Sequence, residues 1–256
     1  MSDASLRAPA ETAVEQCMGL HSDESCAVIT DDKRQAIGEV LYAVASEITD
    51  DAVLVRYPPG EQHGAEPPAP IAAAMAGADV VLAPTTKSLS HTEARTAAND
   101  AGARVATLPG ITDGVFLMGL DADYESIRAE CEDLLAQVAD ADEIRVTTDL
   151  GTDITFEPGA REWNLDTGIV HEPGEMSNLP AGETFVAPES ADGTYVVDGT
   201  MMPHGKLDDG QTLEFEVADG YVTSISDDEI RAEVEEAAEE VGEAAYNLAE
   251  LGIGAN

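Results

Sequence analysis

The stretch Asp79-Val-Val-Leu-Ala83, followed at once by Pro84-Thr85-Thr86, decides how the first half of this chain is read. A short apolar run with β-branched residues, no alternation and a turn signal behind it is the pattern of a strand buried on both faces. Three other runs repeat it. Cys26-Ala-Val-Ile29 leads into Thr30-Asp31-Asp32, Ala52-Val-Leu-Val55 into Arg56-Tyr57-Pro58-Pro59-Gly60, and Ala103-Arg-Val-Ala-Thr-Leu108 into Pro109-Gly110. Between them the spacing turns helical. Ile37, Leu41, Val44 and Ile48 share one helix face between the first two runs. Ser90-His91-Thr92-Glu93 reads as a capping box opening a helix that ends near Gly102. Asp123 reads as the cap of a long helix carrying Ile127, Cys131, Leu134, Leu135 and Val138. Strands alternating with helices predict a parallel sheet covered on both faces.

Such a sheet binds ligands outside the carboxyl ends of its strands. Those ends carry Thr30-Asp31-Asp32, Arg56-Tyr57, the polar stretch Thr85 to His91, and Leu108-Pro109-Gly110. None is a Gly-x-Gly-x-x-Gly fingerprint or a phosphate-binding Gly-Lys-Ser/Thr loop, so a nucleotide site is not expected. Thr85 to His91 reads most simply as a polar loop and helix cap, and otherwise as a loop that touches substrate or a second domain.

Near Ala139-Asp140-Ala141-Asp142 the patterning changes, which predicts an α/β domain over 1–140 and a β-rich domain over 141–256. Glu143–Thr148, Asp153–Phe156, Glu183–Ala187, Thr194–Asp198, Thr212–Val217 and Gly220–Ile225 read as strands, and Ala218-Asp219-Gly220 as a hairpin turn. A long acidic helix is expected from about Asp228 to Glu250, with Ile230, Val234, Ala237, Val241, Ala245 and Leu248 inward. Leu251-Gly-Ile-Gly-Ala-Asn256 looks like the start of another strand, and the expectation is of a chain that stops mid-fold. The fold class is thus α/β, a parallel-sheet domain followed by a β-rich α+β domain cut short at its C-terminus.

Composition narrows the function classes. The 256 residues hold 12 Lys+Arg against 52 Asp+Glu, a formal charge of −40. Counterion release from a phosphate backbone needs clustered cations, so nucleic acid is not expected as a partner, and neither is an anionic membrane. Self-repulsion on this scale suits molar salt, where the Debye length is about 3 Å, and predicts a salt-adapted (halophilic) source. The 43% hydrophobic content can still form a core, although only 4% is aromatic. Cys17, Cys26 and Cys131 form no Cys-x-x-Cys pair, and there is neither a signal region nor an apolar span, which predicts a cytoplasmic protein. The five histidines form no His-Glu-x-x-His or His-x-His pair, and no Gly-x-Ser-x-Gly elbow occurs.

One region says more. Asn164-Leu-Asp-Thr-Gly-Ile-Val-His171-Glu-Pro-Gly174, Ser177-Asn-Leu-Pro-Ala-Gly-Glu-Thr-Phe-Val-Ala-Pro188, Thr194-Tyr-Val-Val-Asp-Gly199 and Asn247-Leu-Ala-Glu-Leu-Gly-Ile-Gly254 resemble the aminopeptidase T family of metallopeptidases. Ser90-His91-Thr92 and Leu108-Pro109-Gly110 extend the likeness into the first half. The resemblance implies a metal-dependent hydrolase that removes N-terminal residues from peptides. It implies two divalent ions (zinc, cobalt or manganese) that activate water, and a homodimer. It places metal-ligating glutamates at Glu183 and Glu250, whereas catalytic and substrate-binding residues stay unassigned. The family's other ligands fall downstream of the motif ending at Gly254, so the metal and the activity could be lacking in this chain. A second branch of the same fold group is also similar, through Ser-His-Thr and Leu-Pro-Gly. It implies cleavage of a dihydroxypyridine ring with one non-haem iron held by two histidines and a carboxylate. A third alternative is a non-catalytic remnant that binds a partner or small ligand.

Overall fold

The computed structural model describes residues 3–256, with side chains from residue 6 onward. Helix α1 (Asp3–Glu11) runs into a π-helical segment (Thr12–Cys17). Then come β1 (Cys26–Asp31), α2 (Gln35–Ile48), β2 (Ala52–Tyr57), α3 (Ala69–Ala76), β3 (Val80–Thr85), α4 (Glu93–Asp100), β4 (Arg104–Pro109), α5 (Asp113–Leu120) and α6 (Tyr124–Val138). Strands follow as β5 (Ile144–Thr147), β6 (Asp153–Glu157), β7 (Asn164–Asp166), β8 (Met176–Asn178), β9 (Glu183–Val186) and β10 (Ser190–Val197). The remainder is β11 (Thr200–Met201), β12 (Gly205–Lys206), β13 (Leu213–Ala218), β14 (Tyr221–Ile225), α7 (Asp228–Val241), a 3₁₀ segment (Gly242–Tyr246) and β15 (Leu251–Gly254). The chain is therefore α/β, a parallel-sheet region followed by antiparallel sheets. It divides into two compact units: Met1–Glu132, Leu165–Glu183 and Gly254–Asn256 in the first, Asp133–Asn164 and Thr184–Ile253 in the second.

In the first unit the strand order is β2-β1-β3-β4-β8, parallel throughout. Because successive side chains of a strand point to opposite faces, each apolar run feeds two cores. Val28, Val80, Leu82, Ala106 and Leu108 pack with α1, the π-helical segment, α2, α5 and α6 on one side. Ala27, Ile29, Val81, Ala83 and Val105 pack with α3 and α4 on the other. The order reverses between β1 and β3, which makes that the crossover point of the sheet. Asp31, fully buried at the end of β1, ties the two strands there: its carboxylate accepts the N–H groups of Lys33 (2.9 Å) and Arg34 (3.2 Å) and the Thr86 hydroxyl (3.0 Å). All three cysteines lie in this unit, buried and unpaired. Burial pushes the Cys17 thiol well above its ordinary range and that of Cys26 up to about 12.

The second unit carries an antiparallel sheet, β14-β13-β10-β6-β5. Asp219 and Gly220, at φ 51° and 80°, form the β13–β14 turn, as the Asp-Gly pair predicts. Ile154, Phe156, Val186, Ala191, Val217 and Leu251 form one core here, with Trp163 against it, and Val197, Leu207, Leu213, Phe215, Ile225 and Ile230 form another. Strands β15, β9 and β7 make a three-stranded sheet in that order.

Three local expectations need correction. Thr92, not Ser90, caps α4, accepting Arg95 N–H at 3.2 Å, and the Glu66 carboxylate takes the free N–H of Ala94 at 3.1 Å. The acidic helix ends at Val241 rather than Glu250, because Gly242 turns to φ 70°. Its inner stripe stays shallow: Ile230 is buried, whereas Val241 is 60% exposed. Among the described residues, no helix is long and apolar enough to cross a membrane.

Candidate functional site

The first unit contains a cleft of about 490 Å³ whose walls come from three separate stretches of sequence. Helix α5 gives Val115, Met118 and Gly119, the loop entering β9 gives Pro180, Ala181, Gly182 and Glu183, and the chain beyond β15 gives Gly254 and Asn256. Thr112 starts α5 by accepting Val115 N–H at 3.3 Å. The helix then presents Phe116 and Leu120 to the core, and Val115 and Met118, 50% and 83% exposed, to the cleft.

The opposing loop is held by bonds and by close packing. Leu179 N–H donates to Thr107 O at 2.8 Å, fixing the loop to β4, and the Leu179–Pro180 peptide is cis. Pro180 lies on Gly119 so closely that a Cβ there would sit 2.4 Å from Pro180 Cγ. Gly182, at φ 138°, leaves no room either, since its Cβ would meet Asn256 Cβ at 2.7 Å. Tyr124, fully buried, donates its hydroxyl to Gly119 O at 3.0 Å and accepts Ala181 N–H at 3.3 Å. Burial, together with the neighbouring Cys17, raises that hydroxyl well above its ordinary range, so it stays a donor. The Asn256 amide nitrogen lies 2.7 Å from Ala181 O, 3.0 Å from Gly119 O and 3.3 Å from the Tyr124 hydroxyl, while Ala255 N–H donates to Gly182 O at 2.7 Å. Tyr124 and Asn256 thus join α5, the loop and the last strand, and Glu183 follows directly on this clamp, half-buried at the cleft.

Beside Glu183 the environment is acidic. Burial raises the Cys131 thiol, with Asp166, Glu130 and Glu183 adding to the effect in that order. The Asp166 carboxyl is itself raised by burial, although Ser177 Oγ (2.7 Å) and Gly168 N–H (3.4 Å) donate to it and pull it back.

The motif stretches of the two halves meet beneath the loop. Ser90 Oγ is 2.8 Å from Thr107 Oγ1 and donates to Asn178 Oδ1 at 2.8 Å, and Ser88 Oγ donates to Ser90 at 2.9 Å. Ser90 therefore braces β4 and β8, and the adjacent His91 ring is exposed. The other histidines are dispersed. His171 bonds Gln16 O at 2.8 Å, His63 accepts Ser88 N–H at 3.2 Å, and His204 lies 3.2 Å from Asp227. Glu250 is exposed just before β15. Among the described residues no three of His, Cys, Asp and Glu come together in a way that could hold a metal ion. The side chains present therefore do not fit a three-ligand iron centre or a two-ion centre. Tyr124, Asn256 and Asp166 went unassigned from sequence, because each also depends on a partner more than ten residues away, at Ala181, Gly119 and Ser177 respectively, although the cap at Asp123 marks where Tyr124 begins its helix.

A family model described as NicX, 2,5-dihydroxypyridine 5,6-dioxygenase, matches residues 9–256. Among solved structures, the chain is similar to 2,5-dihydroxypyridine dioxygenase from Pseudomonas putida KT2440, with 19% identity and a TM-score of 0.76, over 99% of this chain and 77% of that one. It is also similar to wild-type AmpT from Thermus thermophilus, with 15% identity and a TM-score of 0.63, over 98% of this chain and 78% of that one. No curated protein matches. These findings overturn the expectation of a peptide-cleaving hydrolase, an aminopeptidase or metalloprotease. The likeness to aminopeptidase T is one of fold, and the family model selects the dioxygenase branch that the residues alone left as the alternative. The physical reason lies in the motif itself: Asn178-Leu-Pro-Ala-Gly-Glu183 builds the clamp, a scaffold feature that two chemistries can share.

Proposed function

The chain belongs to the NicX family, that of 2,5-dihydroxypyridine 5,6-dioxygenase, and from that premise we propose that it serves the oxidative opening of a hydroxylated pyridine ring. The family match over residues 9–256 is the observation that carries this reading. The cleft supports it. A flat, weakly basic ring suits a slot between Val115 and Met118 on one side and Pro180 on the other, where apolar area and a polarizable thioether favour an aromatic face. Glu183 offers an acceptor for a ring hydroxyl at the same place. The clamp of Tyr124 and Asn256 braces the loop that carries this acceptor.

The reaction class calls for a divalent metal, which in this reading is iron rather than zinc, cobalt or manganese. Glu183 keeps the role of ring acceptor, and neither it nor Glu250 is assigned to the metal. Since the described residues supply no three-donor set, the role assigned to this chain's own groups is binding and orienting the ring.

The test is a titration of the full chain, in molar potassium chloride, with 2,5-dihydroxypyridine, followed by oxygen uptake after ferrous iron is added. The expected result is ring binding that Met118→Ala and Glu183→Gln both weaken. Oxygen uptake coupled to ring loss completes the reading. Absence of ring binding, with or without iron, overturns it, and binding without turnover points to a ligand-binding member of the family.

A further inference from the structure

A second cleft, of about 460 Å³, lies at the carboxyl edge of the parallel sheet and is not part of the site described above. It is formed by the end of β2 and the loop after it, Tyr57 through Gln62 and Ala65 through Pro68, facing Lys87 and Leu89 after β3. Open α/β folds place their ligands at this carboxyl edge. The loop is built in. Gly64 N–H donates to Ser88 O at 3.0 Å, Ser88 N–H donates back to His63 Nδ1 at 3.2 Å, and Glu66 is committed to the start of α4. Pro58, Pro59, Pro67 and Pro68 stiffen the walls.

Two polar groups withdrawn into this cleft, on Lys87 and Tyr57, lack protein partners. In a chain with only 12 basic side chains against 52 acidic ones, most cations are paired or bonded to a carbonyl. Among the described residues, Lys33, Lys87, Arg161 and Lys206 have side chains with no hydrogen bond or ion pair, and of these Lys87 alone is withdrawn from the surface. Leaving an ammonium half-buried without a counter-charge is costly. Tyr57 is 9% exposed, and its hydroxyl has no partner among the described residues. Burial, with the nearby Asp31 charge, pushes that hydroxyl up to about 12, so it remains a proton donor. Helix α3 starts at the same wall, with Pro68 as a cap that offers no side-chain bond.

From these placements we infer that the Tyr57–Lys87 cleft is a binding site for a small organic acid, its single carboxylate received by Lys87 and Tyr57 and its apolar body by the prolines and Leu89. One cation and one neutral donor suit a monoanion. A phosphate dianion has no glycine-rich cradle here and would face the exposed Glu61 at the rim. The inference stands apart from the proposed dioxygenase function, because no residue is shared between the two clefts.

The experiment is isothermal titration of the full chain in potassium chloride with benzoate, its neutral isostere benzamide, and inorganic phosphate. Benzoate is expected to bind, with benzamide and phosphate weaker by roughly tenfold or more. Lys87→Met and Tyr57→Phe are each expected to weaken benzoate by roughly tenfold with an unchanged melting temperature, and Lys87→Arg to retain most of the affinity. Binding of 2,5-dihydroxypyridine at the other cleft is expected to be the same with and without benzoate. The inference is overturned if benzoate does not bind, if benzamide or phosphate binds as well as benzoate, or if Lys87→Met binds it like the parent.

Discussion

Strands β1 and β3 of the first unit bury all six of their residues, whereas β13 of the second alternates, with Leu213, Phe215 and Val217 inward and Glu214, Glu216 and Ala218 outward. The first unit spends its apolar residues on a sheet covered from both sides. The second keeps one face of its sheet in solvent and places its acid there, as it does along α7. The same excess of negative charge therefore has different consequences in the two units. In the first it stays off the buried strand interiors, on helices, loops and strand ends, and in the second it also sits on the exposed strand faces, as at Glu214 and Glu216.

This contrast can be tested by substitutions of decreasing weight. Leu82→Ala, at a fully buried position between two helical layers, is expected to cost about 2–5 kcal/mol in denaturant unfolding. A cost like that of a surface change would mean that the doubly covered sheet is not the stable part. Gly119→Ala drives a Cβ into Pro180 and is expected to cost about 1–3 kcal/mol, and to loosen 2,5-dihydroxypyridine binding more than it lowers stability. Asp31→Ala leaves the Thr86 hydroxyl and three backbone N–H groups, of Lys33, Arg34 and Thr86, without their acceptor, for a loss of about 1–3 kcal/mol. Val241→Ala, on the shallow stripe of α7, is expected to stay within about 0.5 kcal/mol, and a larger loss would show that this face is covered in solution.

Acid sharpens the comparison further, because the first unit holds two carboxylates shifted in opposite directions. Glu24, bonded to Arg104 at 2.8 Å, has a lowered pKa. The stability it contributes is full above the ordinary carboxylate range and is lost as pH falls through its folded value. Asp166 is raised by burial. Its contribution is present below the ordinary range and is lost as pH rises through the raised value. Unfolding midpoints measured across pH are therefore expected to fall less steeply with acid in Glu24→Gln, and to be higher than the parent near neutrality in Asp166→Asn. A parallel profile in either variant would contradict the assigned partner or burial. Lowering potassium chloride is expected to lower the melting temperature, and replacing Glu233, Glu236 and Glu240 of α7 by Gln is expected to reduce that dependence slightly.

Much of the fold was legible because it rests on local patterns. Runs such as Asp79–Ala83 located β1 to β4, and Asp219-Gly220 marked its hairpin. Strand β8 was not legible, since Met176-Ser177-Asn178 is short and polar and becomes a strand only by pairing with Val105–Thr107. Ser90 matched a capping pattern but is drawn away by Thr107 and Asn178, partners that local spacing does not reveal. At the site, Glu183 could be picked out by resemblance alone, because one more acid among 52 carries no signal of its own. The clamp made by Tyr124, Gly119, Pro180 and Asn256 depends on packing across 137 residues of sequence and has no local signature. The chemistry followed the same rule: a motif that builds a scaffold pointed to the fold and not to the reaction.

The burial of Cys17, Cys26 and Cys131 has a practical consequence. All three thiols belong to the first unit, and the single tryptophan, Trp163, belongs to the second. A thiol reagent can act only when the first unit opens, because alkylation needs an exposed thiolate, while indole fluorescence reports on the other unit. The natural chain thus carries two separate clocks. Run side by side, they would time the breathing of each half without a label being introduced.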